Sequence, residues 1–397
     1  MTTWTARESV RRDGLWARAL GRESALRRMD WVLLLGVGAL CALGAVLVWS
    51  ATRTYNLEQH LDPQAYLKKN LLNVAIGLGL GTVAALIDYR TVRAYAPVVY
   101  VASILGLLAV LSPLGSTING AHSWIVLGGG FEVQPSEFAK VALVVGMAML
   151  LGEKRDGEHA VPRPVDIELA LALAGVPMLL VLLQPDLGTV MVLAFVVLGV
   201  LSISGVPARW ICGLLLAGVL GAVLVVSLHL LKSYQIERFT AFTKPNSNAR
   251  GYGYNTTQAR IAIGSGGVFG KGLFQGPQTN GHFVPEQQTD FVFTVAGEEL
   301  GLVGAGAIIV LTGVVLWRGL RIAARADDAF GSLLATGVVC WFAFQAFENI
   351  GMTIGIMPVT GLPLPFVSYG GSSMFANLIA IGLLENVHLH LGPPAAR

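Results

Sequence analysis

"DWVLLLGVGALCALGAVLVWSA", residues 30–51, decides which solvent this chain folds in. After Asp30 it carries no charge, and it matches the roughly 20 apolar residues that take a helix across a bilayer. It is too long for a signal-peptide core, and no A-x-A-like site follows it, so it reads as a permanent span. Nine further runs follow, at 69–88, 93–112, 134–152, 166–184, 186–204, 207–231, 289–317, 330–357 and 366–387. The tight "QPD" turn alone separates 166–184 from 186–204. Composition agrees: 54% of the 397 residues are hydrophobic and 13% are charged, against roughly 25% charged in a soluble domain. The expected fold is an all-α integral membrane protein of ten helices. One membrane domain covers 30–391, with a basic tail at 1–29 and a short tail at 392–397.

Lys and Arg placement sets the orientation. Arg7, Arg11, Arg12, Arg18, Arg22, Arg27 and Arg28 precede the first span. With that tail inside, Arg90, Arg93, Lys154, Arg155, Arg163, Arg209, Arg318, Arg321, Arg325 and Arg397 are also cytoplasmic. The short outer loops then hold only Arg53, Lys68 and Lys69, and the long 232–288 loop lies outside. Both termini are expected in the cytoplasm. A net charge of +3 gives no footing for nucleic acid. Cys41, Cys212 and Cys340 lie in separate apolar runs, as packing residues rather than a disulfide or zinc framework. No transporter-like internal repeat is visible.

With this topology the polar motifs gather at the outer ends of spans. "NGAHSWIVLGGGFEVQPSEFAK" (119–140) runs into the fourth span, and "QPDLGT" (184–189) joins the fifth and sixth. "VPEQQTDFVFTVAGEELG" (284–301) enters the eighth, and "FENIGM" (347–352) and "MPVTGLPLPFVSYGGSSMFAN" (357–377) bracket the last turn. Carboxylates at membrane depth are rare and commonly functional. Asp290 has two readings. It is an acid at a helix N-terminus, with Thr289 as cap, or it shares a small polar face with Thr294, Gly297 and Gly301 and serves as a general base. Glu298 and Glu299 point about 100° apart on a helix, so they take different partners, one of them a helix N-terminus or polar network. Glu137 and Lys140 share a helix face and form an ion pair, with Lys140 still within reach of an anionic substrate. Asp186 is a turn residue or the cap of the sixth span.

"YGYNTTQARIAIGSGGVFGKGLFQG" (252–276) invites a nucleotide-binding reading, which its spacing refuses. Ser265 stands where a P-loop has its first glycine, and Gly272 where it has Ser or Thr. Ile261, Ile263, Val268, Phe269 and Leu273 suggest a short amphipathic piece on the membrane surface. Arg238, Lys244, Arg250, Arg260 and Lys271 make the loop basic, either as a solvated surface or as a cradle for phosphate or lipid headgroups.

Together, "NGAHSWIVLG", "QPSEFAK", "QPDLGT", "GYGYNTTQARIAIGSGGVFGKGL", "VPEQQTDFVFTVAGEELG" and "NIGMTIGIMPVTGLPLPFVSYGGSS" resemble the SEDS family (shape, elongation, division and sporulation) in order and spacing, over about 30–390. "QPDLGT" and "VPEQQTDF" are closer to its elongation branch, RodA, than to its division branch, FtsW. The resemblance implies a ten-span glycosyltransferase that polymerises lipid II at the outer face of the bacterial cytoplasmic membrane, with a class B penicillin-binding protein as transpeptidase partner. It places the family's essential aspartate on Asp290, its tryptophan on Trp124 and its Glu/Lys pair on Glu137 and Lys140. Two positions depart from the pattern. His122 and Ser123 stand where basic residues often precede the tryptophan, and Gln288 stands where the family usually has histidine. Gln288 cannot titrate, which puts a proton relay there in doubt.

On this reading Asp290 is the base. Trp124, Lys140, Arg238, Arg260 and Lys271 meet the substrate, and Glu137, Asp186, Glu298, Glu299, Ser368 and Tyr369 support the site. A divalent cation (Mg²⁺ or Mn²⁺) would suit a diphosphate leaving group, although no metal cage is visible in the sequence, and no nucleotide is needed. The rival reading is a lipid II flippase, which would need polar contacts on both sides of the membrane and at its midplane. A pure scaffold would leave Asp290 unexplained.

Overall fold

The structure, a computed structural model, describes residues 25–118, 121–126, 132–155, 162–227 and 252–391. α1 (Ala25–Arg28) leads to α2 (Trp31–Glu58), capped by Asp30, which accepts from the Leu33 amide at 3.1 Å. Then come α3 (Ala65–Leu86) and α4 (Tyr89–Leu111). A small antiparallel sheet follows, in the order β1 (Ser116–Ile118), β2 (Ala121–Val126), β3 (Glu132–Val133). α5 (Pro135–Arg155), α6 (Pro164–Leu183), α7 (Leu187–Ile203) and α8 (Ala208–Ser227) complete the first seven expected runs. After α9 (Tyr252–Ser265) and α10 (Pro277–Asn280) the chain returns through α11 (Val292–Glu299), α12 (Gly301–Arg325), α13 (Ala329–Ile354) and α14 (Gly371–Leu389).

Seven of these helices, α2 to α6, α12 and α13, are long and apolar enough to cross a membrane; α7 and α8 are shorter apolar helices. With α14, every expected run has its helix, in a multi-pass membrane protein. α5 and α13 form the centre: 83% and 72% of their apolar windows are buried, against 17% for α4, which faces lipid. α14 packs on α3 through glycines. A Cβ at Gly382 would collide with the Gly81 carbonyl, so the two backbones touch.

The bundle has two chemically different ends. At one, Arg318 Nε donates to Asp30 Oδ2 at 2.7 Å and Arg28 Nη2 donates to the Leu389 carbonyl at 2.7 Å. This end joins the start of α2 to the ends of α12 and α14 and holds the short basic loops. The other end carries the sheet, the 184–186 turn, α9, α10 and the 281–291 and 355–370 segments.

The expected span 289–317 is a broken helix. α11 ends at Glu299 and α12 starts at Gly301, whose φ is +65°. Asp290 lies in the turn before α11, so it does not share a helical face with Thr294, Gly297 and Gly301. Thr289 is not the cap either: Phe291 holds the N-cap position, and the Thr289 hydroxyl donates back to the Glu286 carbonyl at 3.2 Å. Likewise 366–370 is turn rather than helix, and α14 begins at Gly371.

A break at the membrane edge frees backbone groups that lipid cannot satisfy. The glycine-rich segment satisfies them. The Lys271 and Gly272 amides donate to the Glu298 and Glu299 carbonyls at 2.9 and 3.0 Å. The Leu302 and Val303 amides donate to the Gly267 and Val268 carbonyls at 2.9 and 3.1 Å. Gly270 has φ +80°, and a Cβ there would collide with the Glu299 carbonyl. The glycines thus serve backbone contact, and the 252–288 stretch is packed structure rather than free loop. Val268, Phe269, Ile261 and Leu273 are exposed as an amphipathic piece requires, but Ile263 turns inward against Gly297.

Gly270→Ala and Gly301→Ala should each lower stability by about 1–3 kcal/mol, through strained φ and lost backbone contact. Melting in detergent should show both losses. Gly264→Ala, where a Cβ meets open space, should leave the melting temperature unchanged.

Candidate active site

Asp290 sits half-exposed at the loop-bearing end. Its amide donates to the Glu286 carbonyl at 3.1 Å, and its carbonyl accepts from Asn349 Nδ2 at 2.8 Å. Its carboxylate lies against Gly361: a Cβ added there would stand 3.2 Å from Asp290 Oδ2, and Gly361 has φ +80°. A side chain at 361 would therefore crowd the acid. The Gln288 carbonyl accepts from the Tyr369 amide at 2.9 Å, so the "QQTD" turn is docked on the 357–370 segment. The neighbours of both Asp290 and Arg260 enter one small apolar cluster, made by Ala259, Val284, Phe291, Met352 and Val359.

The 357–370 segment is itself pinned from below. Asn349 Nδ2 donates to the Leu362 carbonyl at 2.7 Å and Gln345 Nε2 to the Pro363 carbonyl at 2.7 Å. Ser368 Oγ accepts from the Leu364 amide at 2.8 Å, which gives this residue its supporting role. Tyr369 meets Tyr66 edge-on at 5.1 Å. Burial, reinforced by Tyr66 and Glu132, pushes the Tyr369 phenol above its ordinary value, so it stays a neutral hydroxyl.

Glu137 and Lys140 form the expected pair at 2.7 Å, both fully buried. Lys140 Nζ also donates to Gln345 Oε1 at 3.0 Å and lies 4.9 Å from the Trp341 ring centre; Trp341 Nε1 donates to the same Gln345 oxygen at 2.7 Å. Lys140 is thus enclosed, and the substrate contact expected of it gives way to a structural role. Through Gln345 the pair is linked to Pro363 and so to the segment facing Asp290.

Glu298 and Glu299 take separate partners. Glu298 accepts from the Gln278 and Thr279 amides, each at 2.8 Å, and from the Thr279 hydroxyl at 2.7 Å, at the start of α10. Glu299 accepts from the Ser50 hydroxyl at 2.7 Å, tying α11 to α2. Asp186 caps α7, accepting from the Thr189 amide at 2.9 Å and hydroxyl at 2.7 Å, with Gln134 Nε2 at 3.3 Å. Trp124 is half-buried on β2, opposite Ser116. Arg260 is exposed on α9, its Cδ 3.1 Å from where a Cβ on Gly355 would stand, and Lys271 is exposed at the helix break. Arg238 lies outside the described residues.

Four residues outside the sequence-based assignments also place this site: Gln345, Asn349, Glu286 and Ser372. Ser372 Oγ accepts from the Gln134 amide at 2.9 Å and so joins α14 to the start of α5. Gln345 and Asn349 were visible in principle, because buried amides in an apolar helix carry the same cost signal as acids. Among the described residues no three His, Cys, Asp or Glu side chains converge to hold a metal ion.

The family model for FtsW, RodA and SpoVE, described as a cell cycle protein, matches residues 31–392. The probable peptidoglycan glycosyltransferase FtsW of Trichlorobacter lovleyi is 37% identical over 366 residues, covering 91% of this chain and 93% of that protein. The peptidoglycan glycosyltransferase MrdB of Escherichia coli K12 is 37% identical over 362 residues, covering 91% and 94%. A solved chain from a peptidoglycan synthase complex that coordinates polymerization and crosslinking superposes with a TM-score of 0.74. It is 33% identical and covers 91% of this chain and 97% of its own.

Removing either member of the Glu137–Lys140 pair strands a buried charge, at about 3 kcal/mol or more. Glu137→Ala and Lys140→Ala should each lower the melting temperature in detergent, and the double variant should regain part of the loss. Simple addition of the two losses would mean the residues are not coupled.

Proposed function

This chain belongs to the FtsW/RodA/SpoVE family of cell cycle proteins, the SEDS family expected from its motifs, and on that footing we propose that it polymerises lipid II with Asp290 as general base. It is a peptidoglycan glycosyltransferase. The observation that carries the assignment of the base is the position of Asp290. It is a half-exposed residue at the loop-bearing end, with its backbone carbonyl held by Asn349 and its carboxylate faced by a glycine that leaves room beside it.

In the proposed reaction the 4-hydroxyl of one GlcNAc attacks the anomeric carbon of a MurNAc on a second lipid-linked chain. Asp290 takes the hydroxyl proton as the new C–O bond forms. The bond from the anomeric carbon to the lipid diphosphate breaks, with oxocarbenium-like charge at the sugar. The diphosphate leaves with the electron pair, and cations must meet its growing charge. Lys140 is committed to Glu137, so this duty falls to Arg260 and Lys271, with Arg238. A divalent ion, when bound, would neutralise diphosphate charge. Mg²⁺ commonly takes one or two carboxylates plus substrate phosphates. Energy comes from the diphosphate bond, so no nucleotide is required.

The partner on this reading is a class B penicillin-binding protein, since a new glycan strand must be crosslinked; the likeness to a synthase-complex chain supports it. "QPDLGT" and "VPEQQTDF" favour elongation over division. The Lys/Arg distribution supports an orientation with the loop-bearing end outside and the basic end in the cytoplasm.

Asp290→Asn keeps shape and removes basicity, so polymerisation should fall by roughly two to four orders of magnitude, with folding and lipid II binding retained. The assay is purified protein with its transpeptidase, labelled lipid II and a divalent ion, read as glycan length on a gel. Normal strands from Asp290→Asn would move the base elsewhere. Lipid II translocation in liposomes, with no glycan from wild type under any condition, would replace the enzyme reading by the flippase.

Orientation is tested separately. In a background lacking Cys212, Gln59→Cys should react with a membrane-impermeant thiol reagent on cells stripped of outer barriers, and Arg90→Cys should not. The opposite pattern would invert the topology.

A further inference from the structure

Far from Asp290, α2 stands off the packed α3–α14 pair to leave a crevice of about 470 Å³ that runs from the basic end toward mid-membrane. Small residues open it: Gly38, Cys41, Ala42 and Ala45 on α2 face Gly81 and Ala85 on α3 and Gly382 on α14. Its rim includes Leu71 and Leu78, about half exposed on the lipid-facing surface of α3. The crevice is therefore entered from the bilayer.

One charged residue lines it. Glu385 is 1% exposed. Its Oε2 accepts from the Asp30 amide at 3.1 Å, and its Oε1 is buried without a hydrogen-bond partner. The adjacent Asp30 carboxylate is already engaged by Arg318 Nε at 2.7 Å and the Leu33 amide at 3.1 Å. Arg318 is thus bonded to Asp30, and Glu385 adds a second carboxylate beside that pair. A buried acceptor left unmade is costly, and a buried surplus charge more so. A cationic donor arriving along the crevice would complete the cluster. One turn beyond Glu385, exposed Arg28 lies over the end of α14, donating to the Leu389 carbonyl at 2.7 Å. An acid inside the crevice and an arginine at its mouth match an ammonium and a phosphate on one headgroup.

We propose that this crevice binds a zwitterionic aminophospholipid from the leaflet at the basic end. One acyl chain fills the gap, the ammonium meets Glu385 and the phosphate meets Arg28. An anionic lipid without an amine could give its phosphate to Arg28 but would leave Glu385 without a cationic partner and add a negative charge beside it. The site is distinct from the Asp290 end and does not depend on the glycosyltransferase reading.

The test uses the full chain in detergent, incubated with equal amounts of phosphatidylethanolamine and phosphatidylglycerol of matched acyl chains, and repurified. Native mass spectrometry counts the retained lipid. Wild type should retain the ethanolamine lipid preferentially. Glu385→Gln keeps the shape and an acceptor but loses the charge, so the preference should fall about tenfold, equivalent to about 1.4 kcal/mol. Arg28→Ala should weaken retention as well. Gly38→Leu fills the crevice, since a Cβ at Gly38 meets nothing within 4 Å; it should abolish retention of both lipids while the protein still melts cooperatively. Equal retention of the two lipids by wild type, preference for the glycerol lipid, an unchanged preference in Glu385→Gln, or full retention in Gly38→Leu would each overturn the proposal.

Discussion

Lipid offers a backbone no hydrogen bonds, so every amide freed at membrane depth must find its partner within the protein. This chain meets that constraint most sharply between Glu299 and Gly301. Breaking the helix there turns α11 inward, where all eight of its residues are buried, and sends α12 across the membrane. The break is sustained by residues 267–272, whose amides and carbonyls pair with those of 298, 299, 302 and 303. The same break delivers two carboxylates to opposite neighbours: Glu298 to the start of α10 and Glu299 to Ser50 on α2. α9, α10, α11 and α2 are thereby joined into one platform, and the turn carrying Asp290 is its rim.

The platform alone does not build the site, because the opposite wall is the 357–370 segment, which has no regular structure to hold it. Its carbonyls are held by amide side chains rising from α13, Gln345 beneath Pro363 and Asn349 beneath Leu362. Asn349 also holds the Asp290 carbonyl, so one side chain sets the distance between the two walls. Gln345 is fixed in turn by Lys140 and Trp341. The buried ion pair is therefore the foot of a column that rises through Gln345 to Pro363, in the wall facing Asp290. This is a consistent use of intramembrane charge, which is costly unless paired and so tends to be spent where a fixed geometry is wanted.

The amount legible in sequence follows the same physics. Span count was readable because lipid imposes a length and an apolar composition on each helix. The Glu137–Lys140 pair was readable from spacing, and the Asp186 cap from its place before "LGT". The break at 300 was not readable, because "FVFTVAGEELGLVGAGAIIVL" is uniformly apolar around its two acids and gives no period that separates one helix from two. The helical face expected for Asp290 is absent: a turn before α11 presents it instead. The glycines of 264–272 were noticed, but their purpose depends on which backbone they touch, a long-range fact. Lys140 misled because a charge's reach cannot be judged without knowing what encloses it.

What distinguishes Asp290 among the acids is finally a matter of access. A general base must approach the proton it removes within hydrogen-bonding distance. Glu137 and Glu348 are buried inside the bundle, and Glu385 lies at the basic end. Glu298 has both oxygens engaged, one by the Gln278 amide and the other by Thr279. Glu299 is fully buried beneath Ser50, and Asp186 is spent on capping α7. Glu286 remains at the loop-bearing end, but it carries a left-handed backbone at φ 53°, and its carbonyl accepts the amides of Thr289, Asp290 and Phe291. It builds the turn that Asp290 occupies. Glu132 is exposed at the edge of the small sheet, without the walls that exclude water around a reacting pair. Asp290 alone among these acids combines partial exposure, a fixed backbone and a glycine-lined wall facing its carboxylate. Those are the conditions under which a carboxylate can be held still and yet be reached by a sugar.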